Sequence, residues 1–212
     1  FMHSGSLICN VVCGMLCGKK PLIEAYSVDD VRIQKIMDAN TVDGEAKMTR
    51  NDVLTSAWGV ATGARVLLMP LNWRGKNRLG YDNDEAGNYE GALAFGPEDY
   101  ASPKLVRKSL MSGPPHYKRS VGKPLPKGLG AMRCSLSMCV SWVFDHFSEL
   151  SIEGCEQIVH MPHSDVNMIP FECAVTFKST ADKISVVFFT RQLKPKDIEE
   201  VLPVGDLLLG RV

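Results

Sequence analysis

The sequence carries no excess of either charge sign: lysine plus arginine and aspartate plus glutamate each number 24 in 212 residues. There is thus no global electrostatic case for nucleic acid or an acidic membrane as partner. Nor is there a long apolar run. The strongest candidate, Ser6 to Gly18, is too short to cross a bilayer and has no basic region ahead of it, which argues against a signal peptide. A disulfide framework is missing too. Seven cysteines is an odd count, their spacing is uneven, and free thiols in a reducing, cytoplasmic compartment are the expectation. No internal repeat is visible. The chain opens at Phe1 rather than at an initiator methionine, so it is expected to be a fragment.

What is present suits a globular domain. Hydrophobic residues make up 45% and charged residues 23%, and the length allows one large domain or two small ones. Residues 1–20 are expected to be an apolar lead-in from a preceding segment, and residues 21–212 the domain proper. Cys9, Cys13 and Cys17 fall on one face if the lead-in is helical, as core, partner-facing or lipid-facing residues rather than metal ligands.

Leu22 to Val28 can form a strand, and Ser27 with Asp30 resembles a capping box opening a helix to about Asn40. Thr49 with Asp52 repeats that pattern before a second helix, with Val53, Leu54, Ala57, Trp58 and Ala61 on one stripe and Gly63 as its end. Arg65 to Trp73 reads as a buried strand with an edge or bulge at Pro70. A short strand at 92–95 precedes a helix opened by Ser102-Pro103. The period of two from Met132 to Trp142 predicts a strand. Phe171 to Phe177 and Lys183 to Arg191 predict a hairpin, and Pro195 a last helix holding Ile198, Val201 and Leu202. The fold class expected is α/β or α+β, a mixed β-sheet flanked by helices.

Polar groups cluster where core elements end, between Thr49 and Gly91. Asn51 and Asp52 at a helix start can simply cap it. Arg74, beyond Asn72 at a strand end, can hold a carboxylate and tie two segments together. Trp142 on the apolar face of its strand reads by default as core. Between Tyr100 and Phe144 there is no acidic residue, while Lys118, Arg119, Lys123 and Lys127 stand among eight basic ones. This is either a solvated loop or a local cationic field suited to phosphates.

Four segments together resemble the C-terminal half of the HxxxD acyltransferases, the plant-type BAHD enzymes and their condensation-domain relatives. They are Thr49-Arg50-Asn51-Asp52-Val53-Leu54-Thr55-Ser56, Asn72-Trp73-Arg74-Gly75-Lys76, Gly87-Asn88 and Ser141-Trp142, in the family's order over roughly residues 20 to 200. The resemblance implies a chloramphenicol-acetyltransferase-like half that faces coenzyme A and uses acyl-CoA as co-substrate, with no permanently bound cofactor or metal. It implies that Ser141 and Trp142 border the substrate channel, where an indole N–H could face the reacting carbonyl. Asn51, Asp52, Asn72, Arg74, Gly87 and Asn88 would be scaffold. Lys118, Arg119, Lys123 and Lys127 become candidate contacts to the phosphates of coenzyme A.

The family's catalytic His-x-x-x-Asp is absent. His3, His116, His146, His160 and His163 are followed four residues on by Leu7, Ser120, Leu150, Ser164 and Asn167. The family places that motif upstream of the Asn-Asp helix, so the general base is expected on a missing N-terminal half. The Asp-Phe-Gly-Trp-Gly segment of plant members is also unrecognisable; Ser151 to Glu156 stands near its place. His160, His163 and Asp165 flank Pro162 without a supporting cysteine pair, a poor metal set.

The expected function is therefore the coenzyme A-side half of an enzyme that acylates an alcohol or amine, inactive alone. The alternative is a non-catalytic binding module derived from the same half-fold. The apolar stripe from Leu7 to Cys17 suits contact with the other half or with a membrane surface, and the sequence does not choose between them.

Overall fold

The computed structural model describes residues 5–41, 46–73, 90–113, 116–143, 152–162 and 169–209. Seven strands form one mixed sheet in the order β3-β2-β4-β5-β6-β1-β7. The strands are β1 (Leu22–Val28), β2 (Val66–Asn72), β3 (Glu90–Phe95), β4 (Leu136–Ser141), β5 (Glu172–Lys178), β6 (Ile184–Thr190) and β7 (Val204–Leu209). The central β2-β4 and β4-β5 pairs are parallel and the other pairs antiparallel. The β2-β4 pairing ends at Leu68 and Met138, two residues before Pro70, so the proline is placed where that ladder has stopped.

Helices α2 (Asp30–Asn40), α3 (Arg50–Thr62), α4 (Pro103–Leu110) and α6 (Pro195–Val201) cover one face. The core there joins Tyr26, Trp58, Leu67, Phe95, Val106, Phe188 and Ile198, with the Trp58 and Phe188 rings stacked 5.0 Å apart. The other face carries α1 (Gly5–Cys17) and the short α5 (Leu129–Met132) over Val66, Leu68, Ala94 and Leu136. Strands β5 and β6 are buried on both faces, which is why they read as near-continuous apolar runs.

Several expectations need correcting. Asp29, not Ser27, caps α2: its side chain accepts from Arg32 N at 2.9 Å, while Ser27 belongs to β1. The strand expected from Met132 begins only at Leu136, because Leu129 to Met132 coil into α5. β7 was not foreseen; its Gly205 lies where a Cβ would meet the Ser27 hydroxyl at 2.8 Å.

The expected α3 holds over its length. Gly63 closes it at φ 55°, a left-handed turn that glycine adopts without strain. Gly59 lets the Tyr100 ring approach so closely that a Cβ would sit 2.6 Å from it. Ser56 donates to Tyr100 O at 2.8 Å, and Tyr100 Oη donates to Ala64 O. These contacts fix α3 against the 96–102 turn.

On the opposite face Arg191 gathers three backbone carbonyls, those of Lys19, Phe171 and Ile169. Its own N–H donates to the Glu172 carboxylate at 2.9 Å. This binds the exit of α1 to the entry of β5. Gly14 completes the joint, since a Cβ there would lie 2.6 Å from Pro170 O.

Candidate functional site

Three-residue turn 63–65 folds β2 back along α3, so the first turn of the helix lies over the edge where β2 and β4 end. Thr55 in that helix donates to the Cys139 sulfur at 3.7 Å, two residues before the end of β4. The ends of parallel strands are where α/β sheets place ligands. Here that edge carries Asn72 at the end of β2, Ser141 and Trp142 at the end of β4, and Asn51 and Asp52 on the helix above. Arg74, Gly87 and Asn88 lie outside the described residues, as do His3, His146, His163 and Asp165.

Asp52 caps α3 and pairs with Arg107 of α4. Its side chain is fully buried, and Oδ2 accepts from Thr49 N at 2.7 Å, from the Thr49 hydroxyl at 2.9 Å and from Arg107 Nε at 2.8 Å. The Thr49 backbone contact belongs to the capping box expected from the sequence. The arginine on α4 was not foreseen. A charged partner for a buried capping carboxylate leaves no spacing signal, because the two residues are far apart in the chain.

Ser141 and Trp142 leave the sheet on opposite faces. Ser141 follows the period of Cys139 toward the helices, opposite Thr176, whose buried hydroxyl has no partner among the described residues. Trp142 packs with Val140, Cys173, Val175 and Phe177 on the other face, and its backbone N–H donates to Thr176 O at 2.7 Å. A channel touching both would run past the tip of β4.

His160 joins this edge on the Trp142 side. Its Nδ1 lies 3.2 Å from Lys178 O, which calls for the Nδ1–H tautomer, and its ring meets Phe177 edge-on at 6.4 Å. The sequence offered this histidine as a poor metal ligand and as a failed match to His-x-x-x-Asp, with Ser164 four residues on. It touches a carbonyl and an aromatic ring, while His163 and Asp165, the other two members of the weighed set, lie outside the described residues.

The buried thiols are not nucleophiles. Burial pushes Cys139 up to about 11, only partly opposed by the Thr55 hydrogen bond, and pushes Cys173 up further still. Both are protonated at neutral pH.

The four candidate phosphate contacts divide into two kinds. Arg119 is turned inward: Nη1 donates to Lys123 O at 2.7 Å and lies 3.4 Å from the buried Asp99 carboxylate. Asp99 also accepts from the N–H groups of Gly96, Val121 and Gly122, each at 2.9 Å, and so shapes the loop. Lys123 pairs with Glu98 at 2.8 Å; the carboxyl of that glutamate is held below its ordinary range chiefly by this hydrogen bond. Lys118 and Lys127 are exposed, with no ion partner among the described residues. The signal that could have separated the two kinds is Glu98-Asp99, which stands immediately before the acid-free stretch.

A further cationic feature lies between α2 and α4. A cavity of about 270 Å³ is lined by Lys104, Arg107 and Lys108 with Met48 and Met111. It joins the side chains of Lys104 and Lys108, and of Arg107 already paired with Asp52, to methionine walls. Asn40 and Thr41, also in the lining, donate to Ile36 O and Met37 O at 2.8 Å each, so two terminal carbonyls of α2 are already satisfied there.

No protein-family model and no curated protein matches this sequence. Solved structures do. The crystal structure of vinorine synthase is similar over 88% of this chain and 49% of its own, at 12% identity and a TM-score of 0.56. F. graminearum TRI101 complexed with ethyl coenzyme A covers 85% of this chain and 47% of its own, at 12% identity and TM-score 0.47. The first condensation domain of the CDA synthetase covers 93% and 48%, at 12% identity and TM-score 0.39. The chain spans about half the length of each. The likeness to vinorine synthase shows the fold, which is the fold that the four segments imply.

Proposed function

We propose that this chain, which has the fold of one half of such a two-part protein, is the coenzyme A-side half of an acyltransferase. It would move an acyl group from acyl-CoA to an alcohol or amine. The observation that carries the reading is the half-length match to vinorine synthase together with a sequence in which no histidine has aspartate four residues on. The missing motif is the proton acceptor of the resembled family. A second half would supply it, and the acceptor hydroxyl or amine would lose its proton there while attacking the thioester.

On this chain the tip of β4 is the chemical wall. The negative charge that develops on the thioester oxygen needs a donor held in a dry place. The Trp142 indole, half-buried on the face away from Ser141, is the donor we assign to that task. Arg107 and Asp52 hold the start of α3 over the same edge and touch no reacting atom. Lys104 and Lys108 of the α2-α4 cavity, with the exposed Lys118, are the groups that would receive the donor's phosphates; Arg119 and Lys123 serve the loop instead.

The test is thioester turnover by the chain alone and with a segment bearing His-x-x-x-Asp added in trans. Turnover only in the second case supports the proposal. Coenzyme A binding without turnover in either case favours the non-catalytic module.

A further inference from the structure

A helix that is apolar all round belongs in a core or in lipid. α1 is such a helix, and only one side of it is in the core. Leu7, Asn10, Val11 and Gly14 face the sheet: Leu7 is buried, Val11 packs on the same cluster, and Asn10 donates to Ala131 O and Cys134 O at 2.8 and 2.9 Å. The outer arc of roughly 160°, at 100° per residue, holds Met15, Ile8, Val12, Leu16, Cys9 and Cys13. Leu16 is 80% exposed and Ile8 60%. No charged side chain interrupts this arc. α5 lies beside it, held by the Asn10 bonds, and shows Leu129, 70% exposed.

The rim of this surface is cationic. Lys19 and Lys20 follow α1, while Lys127 and Arg133 flank α5, all exposed. Neither contributing segment contains an acidic residue: the sequence has none before Glu24, and none between Tyr100 and Phe144. At 13 residues α1 cannot span a bilayer, and no described helix is long and apolar enough to do so. An apolar ridge that cannot span, ringed by lysine and arginine, is complementary to the headgroup zone of an anionic membrane.

We propose that α1 and α5 form a docking surface for an anionic lipid bilayer, with Ile8, Val12 and Leu16 inserted and Lys19, Lys20, Lys127 and Arg133 against the headgroups. The proposal does not rest on the acyltransferase reading, since it is argued from α1, α5 and their flanking cations and its test involves no coenzyme A. The sheet contacts of α1 do not involve the inserted residues, so the surface can be altered without unpacking the helix.

The purified chain is mixed with vesicles of phosphatidylcholine alone and of phosphatidylcholine with phosphatidylserine, then sedimented. Alkylation of Cys9 and Cys13 is followed in parallel. The expected result is binding to the anionic vesicles only, weakened by salt, with both thiols protected. The double variant Ile8→Asp, Leu16→Asp is expected to bind at least about tenfold more weakly, since each change places a charge on the inserted ridge. The rim variant Lys19→Glu, Lys20→Glu leaves the helix packing untouched and is expected to lose the phosphatidylserine dependence. Absence of binding to anionic vesicles overturns the proposal, as does binding that neither variant alters. Thiol protection without lipid, by self-association or by an added protein half, also overturns it.

Discussion

Arg107 on α4 closes onto Asp52 of α3, its Nε 2.8 Å from a carboxylate oxygen that has no solvent exposure at all. The same oxygen receives the backbone N–H of Thr49, so one carboxylate both starts a helix and ties it to its neighbour. Breaking a buried pair by removing one partner leaves the other charge uncompensated and costs about 3–5 kcal/mol. Arg107→Ala is therefore expected to lower unfolding stability by that order, read as a reduced urea midpoint. Arg107→Lys is expected to recover only part, because Nε and Nη2 both reach the oxygen in the native pair.

Tyr100 presses on α3 at Gly59. A methyl group added there would lie within 3 Å of several atoms of a buried ring. Gly59→Ala is expected to destabilise by about 1–3 kcal/mol despite the better helix propensity of alanine. Thermal unfolding measures this directly, and a stabilised variant would contradict the close approach.

Arg191 should matter locally more than globally. Its guanidinium holds the carbonyls of Lys19, Phe171 and Ile169, so Arg191→Ala should release the exit of α1 before the sheet loosens. Hydrogen exchange is expected to accelerate in α1, with β5 and β6 protected as before. The loss in overall stability should be about 1–3 kcal/mol.

The buried thiols predict weakening in alkali. The unfolded chain loses the Cys139 proton near the ordinary thiol value of 9, while the folded chain keeps it to about 11. The folded state thus binds more protons between those values, and stability falls as pH rises through them, by about 1.4 kcal/mol per pH unit for one thiol. Cys173 and Tyr100, both raised mainly by burial, act in the same direction. Chemical denaturation at pH 9 and pH 11 checks this, and Cys139→Ala should flatten the slope.

How much of this was legible follows the range of the signals. Local ones held: the Thr49-Asp52 box, Gly63 as a stop, Ser102-Pro103 as a start and the 172–190 hairpin all depend on residues close in sequence. The mixed-sheet fold class held as well, carried by strand and helix patterns mixed along the chain with some hairpin pairing. What the sequence hid was pairing at long range. Arg107 with Asp52 and Arg191 with three carbonyls look like ordinary surface arginines until the chain is folded. Two cations of the acid-free stretch have partners hidden from the sequence for the same reason, because Glu98 and Asp99 fold back onto them. Ser27 failed locally: Asp29, two residues on, is the cap.

Donor binding separates the two kinds of cation. Lys104→Glu with Lys108→Glu is expected to weaken coenzyme A binding at least about tenfold, the effect of losing or reversing charge-assisted phosphate contacts. Lys123→Glu, whose partner is Glu98, is expected to leave it nearly unchanged. Calorimetric titration of coenzyme A into each variant provides the comparison. Equal effects would place the phosphates elsewhere.

The central claim is that this chain supplies one wall of an acyl-transfer site and not its base. The most direct measurement is release of coenzyme A thiol from an acyl-CoA in the presence of an alcohol or amine acceptor. It is made on the chain alone, then with a half bearing His-x-x-x-Asp, then with that half and Trp142→Phe in this chain. The account predicts no turnover, turnover, and turnover reduced by about 10²–10³. Full turnover by the chain alone would contradict it.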